Sequence, residues 1–122
     1  MKGIKIGHNL YDTQTLSFNK NLCSLIDKTL QKDTQSLKKL IKVWCGGASG
    51  CYDLGDVIVQ IIFKLGDHDF NNIAVQLDKV EKQELKGLIQ VGLEYGNQNS
   101  FGIKSLQDME KQFPELNKTL ED

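Results

Sequence analysis

The chain has no arginine: all fifteen of its basic residues are lysine. Planar, bidentate recognition of phosphates and guanine edges is mainly arginine work, and the formal net charge is only −1, so nucleic-acid binding is not expected. Proline occurs once, at Pro114, so nothing else in the chain forbids helix. No stretch approaches the roughly 18 consecutive apolar residues that span a bilayer. The opening MKGIKIGHNLYDTQ also lacks the apolar run of a secretory signal, and a cytoplasmic location without membrane contact is the expectation. Histidine occurs twice, at His8 and His68, too thin a supply for a metal centre of three or four convergent ligands. Cysteine occurs three times, an odd number, and a compartment that keeps thiols reduced makes a disulfide framework improbable; Cys45 and Cys51 are the pair that could contradict this.

What is present suits a folded domain. A chain of 122 residues with 39% hydrophobic and 25% charged residues is too apolar for disorder. At this length one domain is the usual expectation, burying roughly 65–70% of its unfolded surface. Charge is uneven. Residues 1 to 44 carry eight lysines against three aspartates, net +5, whereas residues 45 to 78 carry five aspartates against Lys64, net −4.

Apolar residues recur at helical rather than alternating intervals throughout. Leu16, Leu22, Leu25, Ile26 and Leu30 predict a first helix. Leu37, Leu40, Ile41 and Trp44 form the face of a second, capped at Asp33 or Thr34 and stopped by Gly46 and Gly47. Leu54, Val57, Ile58, Ile61, Ile62 and Leu65, with Val59 and Phe63 beside them, make a third helix apolar over most of its circumference, which marks it as the buried centre. Ser49 or Asp53 would cap its start. Gly66 closes it, and Asp67 is expected to cap a short helix bearing Phe70, Ile73, Ala74 and Leu77.

Leu85, Leu88, Ile89 and Leu93 form the next stripe, opened by Glu81 and Glu84 and ended by Gly96. Gly87 and Gly92 inside it each cost about 1 kcal/mol of propensity, which close helix contact could offset. Ile103, Leu106 and Met109 suggest a further helix, and Pro114 starts a last short one. The expectation is an all-α single domain of about six to seven short helices in antiparallel hairpins. Residues 1–12 read as an N-terminal extension, 13–111 as the core and 112–122 as a C-terminal helix. QSLKKLIKVW at 35–44 matches QELKGLIQVG at 83–92 in six of ten positions at a 48-residue offset. The architecture could therefore be HEAT-like repetition or a plain orthogonal bundle.

The compositionally odd stretch is WCGGASGCYDLGD at 44–56. A cysteine followed by a five-residue cradle suggests phosphate chemistry, but Cys51 stands where the clamping arginine belongs. Gly50 is followed by Cys51 and Tyr52 rather than the lysine of a phosphate-binding loop. Gly47-Ala48-Ser49-Gly50-Cys51 lacks the last glycine, and the strand, of a hydrolase elbow. The triplet Asp67-His68-Asp69 reads as a helix cap and first turn rather than a ligand set. A thiol-based enzyme or redox switch at Cys45 and Cys51 remains an alternative, since a thiol at a helix start has a lowered pKa. No catalytic residues, metal or cofactor are otherwise indicated.

Trp44, Phe63 and Phe70 lie in or beside apolar stripes and are expected in the core. Tyr52 and Tyr95, beside glycine turns and acidic residues, could anchor a partner. Together with Asp53, Asp56, Asp67 and Asp69 they form a candidate partner-binding surface of negative potential.

Taken in order, an amphipathic helix, the Gly47-Ala48 turn, Tyr52 and Gly55 opening an apolar helix closed by Gly66, Phe70 nearby and the later Gly92-Leu93-Glu94-Tyr95-Gly96 resemble a group of short all-helical bacterial proteins of HEAT-like character. The resemblance covers roughly residues 33 to 100. It is similar in kind to the helical immunity proteins of contact-dependent growth-inhibition systems. Such a resemblance implies a cytosolic, non-catalytic protein that binds a cognate toxin domain and blocks it, the toxin being a nuclease in one form of the expectation. A helical-repeat scaffold with another protein partner is a further alternative.

Overall fold

The most apolar segment of the sequence becomes the axis of the fold. The computed structural model describes residues 3–12, 14–45, 48–95 and 106–121. In chain order they form α1 (His8–Tyr11), α2 (Leu16–Leu30), α3 (Thr34–Leu40), α4 (Ala48–Leu65), α5 (Asp67–Ala74), α6 (Lys79–Tyr95), α7 (Leu106–Gln112) and α8 (Pro114–Glu121), with no strand among the described residues. The chain is all-α, as its apolar spacing predicts. Expectations placed on Gly46, Gly47, Gly96, Ile103 and the side chains of Ser49 and Leu106 lie outside the described residues. No described helix is long and apolar enough to cross a membrane.

Every residue of α4 from 53 to 62 is buried. A helix apolar around most of its circumference is stable in water only when neighbours cover it on all sides. Here α1, α2, α5 and α6 do so, α6 most extensively. The α4–α6 crossing brings two glycines together. A Cβ on Gly92 would stand 2.6 Å from the backbone nitrogen of Asp56, and one on Gly55 would stand 2.9 Å from that of Gly92. The helix-weakening glycine at 92 is thus matched by a close backbone approach. Gly87 has open space around its Cα, so close contact does not account for it. Leu85, Ile89 and Leu93 of α6 are buried against this axis.

Helix ends are satisfied by residues near and far. Gly66, at φ +85°, donates to the Ile62 carbonyl and accepts from Phe70 N–H, ending α4 and starting α5 in one residue. Asp67 is therefore the first helical residue of α5 rather than its cap. Its carboxylate instead caps α8, accepting the N–H groups of Glu115 (3.0 Å) and Leu116 (2.9 Å). At the start of α6, Asp78 and Glu81 form a reciprocal capping box at 2.8 and 2.9 Å. Buried Glu81 also holds Lys42 at 3.1 Å. Bonds from Asp78 and then Lys42 hold the Glu81 carboxyl below its ordinary pKa, and Glu81 holds Lys42 above its own. After α2, Lys32 N–H bonds Thr29 O and Asp33 N–H bonds Lys28 O, with Lys32 at φ 70° in the left-handed position that usually takes glycine.

Three expectations about element limits change. The helix bearing Leu37 and Leu40 ends at Leu40, short of the glycines. Short-range bonds from Lys42 to Lys39 and from Val43 to Leu40 turn the chain there. Residues 35–44 therefore leave helix midway whereas 83–92 lie wholly inside α6, and the two matched segments are not equivalent units. Residues 3–12 are not an extension. Ile4 and Leu10 are buried, and Gln60 of α4 exchanges two bonds with the Lys5 backbone at 2.9 and 2.7 Å, as a neighbouring strand would. Leu16 begins α2 as expected but is exposed. At the far end, Phe70 is fully buried and half-buried Phe63 meets Phe113 edge to face at 4.9 Å.

Candidate functional site

The start of α4 gathers most of the residues that the sequence singles out. Cys45, on the segment leaving α3, is bonded to Cys51 in the first turns of α4, with Cα atoms 4.9 Å apart. The expectation of free thiols is overturned for this pair. The two are six positions apart, and closing so short a loop restricts the unfolded chain by about 2 kcal/mol. Gly50 makes the ring possible, because a Cβ there would collide with the carbonyl oxygen of Cys45.

This crosslink places Trp44 differently from expectation. A continuous helix to residue 44 would turn its indole into the core; with α3 ended at Leu40 and the chain drawn toward Cys51, Trp44 is 69% exposed. On the other side of the bond, Tyr52 stacks on Tyr95 with ring centroids 4.6 Å apart and planes 25° from parallel. Tyr52 is half-buried and Tyr95 is 54% exposed. Trp44 adjoins Cys45 and Tyr52 adjoins Cys51, so the bond holds the backbone of the Trp44 segment close to that of the turn bearing Tyr52. The stack itself closes the last turn of α6 onto the first turns of α4.

The acidic half of the expected surface turns inward. Asp53 is 3% exposed and Asp56 1%. Asp53 lies beyond the first turn of α4, so it caps nothing there. Its carboxylate accepts Leu10 N–H at 3.1 Å and packs against Gly7, whose site has no room for a Cβ. Asp56 accepts from Gln60 Nε2 at 3.3 Å. Buried carboxylates must be hydrogen-bonded to be tolerated; Asp53 anchors residues 3–12 and Asp56 bonds Gln60, which holds the Lys5 backbone, so neither is presented to a partner. Asp67 is occupied as the α8 cap, and Asp69 pairs with Lys32 at 3.2 Å. His68 faces Glu115 at 3.3 Å. Among the described residues no group of three or more His, Cys, Asp or Glu is arranged to hold a metal ion.

For thiol catalysis the arrangement is unfavourable in the bonded state, since Cys45 and Cys51 present no thiolate. The free cysteine, Cys23 on α2, has its pKa raised by burial, the direction opposite to activation. It lines an open groove of about 500 Å³ with Tyr11, Leu16, Asn19 and Asp27. The groove's buried acceptors, Asn19 Oδ1 and Asp27 Oδ1, have no hydrogen-bond partner among the described residues and are also sealed from water. A ligand lying there would not reach them.

Tyr52 and Tyr95, singled out by the sequence, stack on each other, whereas Trp44, expected in the core, is exposed. The signal for its exposure was the Cys45–Cys51 spacing, which redirects the chain. No family model, no curated protein and no solved structure matches the chain.

Proposed function

We propose that the chain is a non-catalytic protein-binding module whose contact surface is the aromatic end formed by Trp44, Tyr52 and Tyr95. The observation that carries this reading is the exposed Trp44, 69% in solvent beside a covalent crosslink. Exposing a tryptophan forfeits hydrophobic stabilisation, and tryptophan and tyrosine on a rigid mount are the side chains most often found at the centres of interfaces. Rigidity adds to affinity, because little side-chain and loop entropy is lost on binding.

The partner in this reading is a cognate bacterial toxin domain, which the module neutralises by covering its active site, as an immunity protein of a contact-dependent growth-inhibition system does. With Asp53 and Asp56 inside the fold, complementarity to a basic nuclease cleft is no longer the supporting argument. An apolar pocket beside the toxin's active site is the surface that three aromatic rings fit. The location proposed is the cytoplasm. Glutathione and thioredoxin keep thiols reduced there, so the Cys45–Cys51 bond would be a responsive link rather than a permanent one.

The test is co-expression with any toxin domain encoded beside this chain, in cells whose cytoplasm is oxidising enough to keep the Cys45–Cys51 bond closed. The wild type is expected to protect cells and co-purify with the toxin. Trp44→Ala is expected to weaken the complex by about 2 kcal/mol, some 30-fold, while changing the fold's own stability by less than about 0.5 kcal/mol. Equal protection by wild type and Trp44→Ala would refute the surface, and no protection by either would refute the partner.

A further inference from the structure

Joining the aromatic end through a single short crosslink gives that end a chemical control. Cys45 and Cys51 are both half-buried rather than fully buried, and exchange of the bond requires a thiolate to reach one of their sulfurs. The bond is the covalent tie between the segment bearing Trp44 and the turn bearing Tyr52. The rest of α4 is held without it: Asp53 by Leu10 N–H, Gln60 by the Lys5 backbone, and Gly55 by its close approach to Gly92. Opening the ring therefore removes the covalent hold on the Trp44 segment, which then keeps only the packing of Val43 and Cys45 and the Val43–Leu40 bond, and leaves the rest of α4 in place.

We propose that Cys45–Cys51 is a redox latch on the aromatic surface, which is competent to bind with the bond closed and dispersed with the bond open. This rests on the reading of that end as the contact surface. The reductant is a dithiol. One of its thiolates attacks Cys45 or Cys51, the S–S bond breaks, and the other cysteine leaves as a thiolate that takes up a proton. The second thiol of the reductant then attacks the mixed disulfide and releases the remaining cysteine. The protein gains two electrons and two protons, and the dithiol becomes a disulfide. Oxidised glutathione, a disulfide oxidant, runs the exchange in reverse. Closure requires Gly50, since any larger residue would press on the Cys45 carbonyl.

Trp44 is the only tryptophan in the chain, so its indole N–H signal reports directly on the latch. The experiment compares the full chain, isotopically labelled, in oxidised glutathione and in dithiothreitol. Alkylation should modify Cys23 alone in the first state and all three cysteines in the second. On reduction the Trp44, Tyr52 and Tyr95 signals should shift, and amide exchange in the first turns of α4 should rise well beyond the roughly 30-fold that losing the ring's constraint on the unfolded chain imposes on all globally exchanging amides. Amides from Val57 to Ile62 should rise by no more than that common factor. Cys45→Ser/Cys51→Ser should give the reduced spectrum in both conditions.

Aromatic signals and first-turn exchange that are the same in both states would overturn the latch, as would an equal rise in exchange throughout α4. Binding to the co-expressed toxin separates the two ideas. Equal capture by oxidised and reduced protein, with Trp44→Ala defective, overturns the latch and leaves the surface. Spectral opening on reduction with no effect of Trp44→Ala on capture overturns the surface and leaves the conformational latch.

Discussion

Replacing Gly92 and Gly87 of α6 by alanine, one at a time, should move stability in opposite directions. Both substitutions add one methyl to the same helix and both gain about 1 kcal/mol of helix propensity. At Gly87 the new Cβ meets open space, so Gly87→Ala is expected to stabilise by about 0.5–1 kcal/mol. At Gly92 it would stand 2.5 Å from the Gly55 carbonyl oxygen and 2.6 Å from Asp56 N, atoms of backbone that no rotamer change can move aside. Ordinary contact would require α4 and α6 to separate by about 1 Å. A gap of that size forfeits a quarter to a half of each dispersion contact across the seam between Leu54, Ile58 and Ile62 on one helix and Leu85, Ile89 and Leu93 on the other. Overpacking of this kind costs about 3 kcal/mol, leaving Gly92→Ala destabilised by about 2 kcal/mol after the propensity gain. In thermal unfolding followed by helical circular dichroism, that is a fall of about 8 °C, against a rise of about 3 °C for Gly87→Ala. Two midpoints that move together, or a Gly92→Ala protein as stable as the wild type, would refute the close α4–α6 approach.

Asp67→Ala removes the cap of α8 and should cost about 1 kcal/mol in urea unfolding, with Asp67→Asn recovering most of it because asparagine also caps well. Lys32→Gly should raise the unfolding midpoint by about 1 kcal/mol, since glycine takes the left-handed position without the steric penalty, less a small loss from the exposed pair with Asp69. A midpoint that falls would show that Lys32 is not in that conformation. Glu81 has a depressed pKa in the fold, so its contribution is fully present above the unfolded value of about 4.3 and is lost as pH falls through the folded value. Unfolding measured from neutral pH into acid should therefore show a shallower loss for Glu81→Gln than for the wild type. Gly50→Ala should obstruct ring closure, seen as extra alkylated cysteine in the oxidised protein.

Residue type and spacing along the chain determined the elements. The all-round apolar run at 54–65 could only be a central helix, and Gly66, the α6 stripe and Pro114 at the head of α8 mark their places for local reasons. The Asp78–Glu81 capping box is equally legible, as an acidic pair three apart before an apolar stripe. Which side chains face solvent was a different matter. Asp53 is buried because it meets Leu10 N–H from 43 positions away, and Asp67 caps a helix 48 and 49 positions on rather than its own. Periodicity describes a single helix and carries no information about such partners. Trp44 fits a helical stripe in sequence and is exposed in the fold, because α3 stops at Leu40 and the bond to Cys51 draws the chain out of helical register. The Tyr52–Tyr95 stack is likewise a product of tertiary structure: each residue is ordinary where it stands in the sequence, and only the packing of α6 on α4 brings the two together.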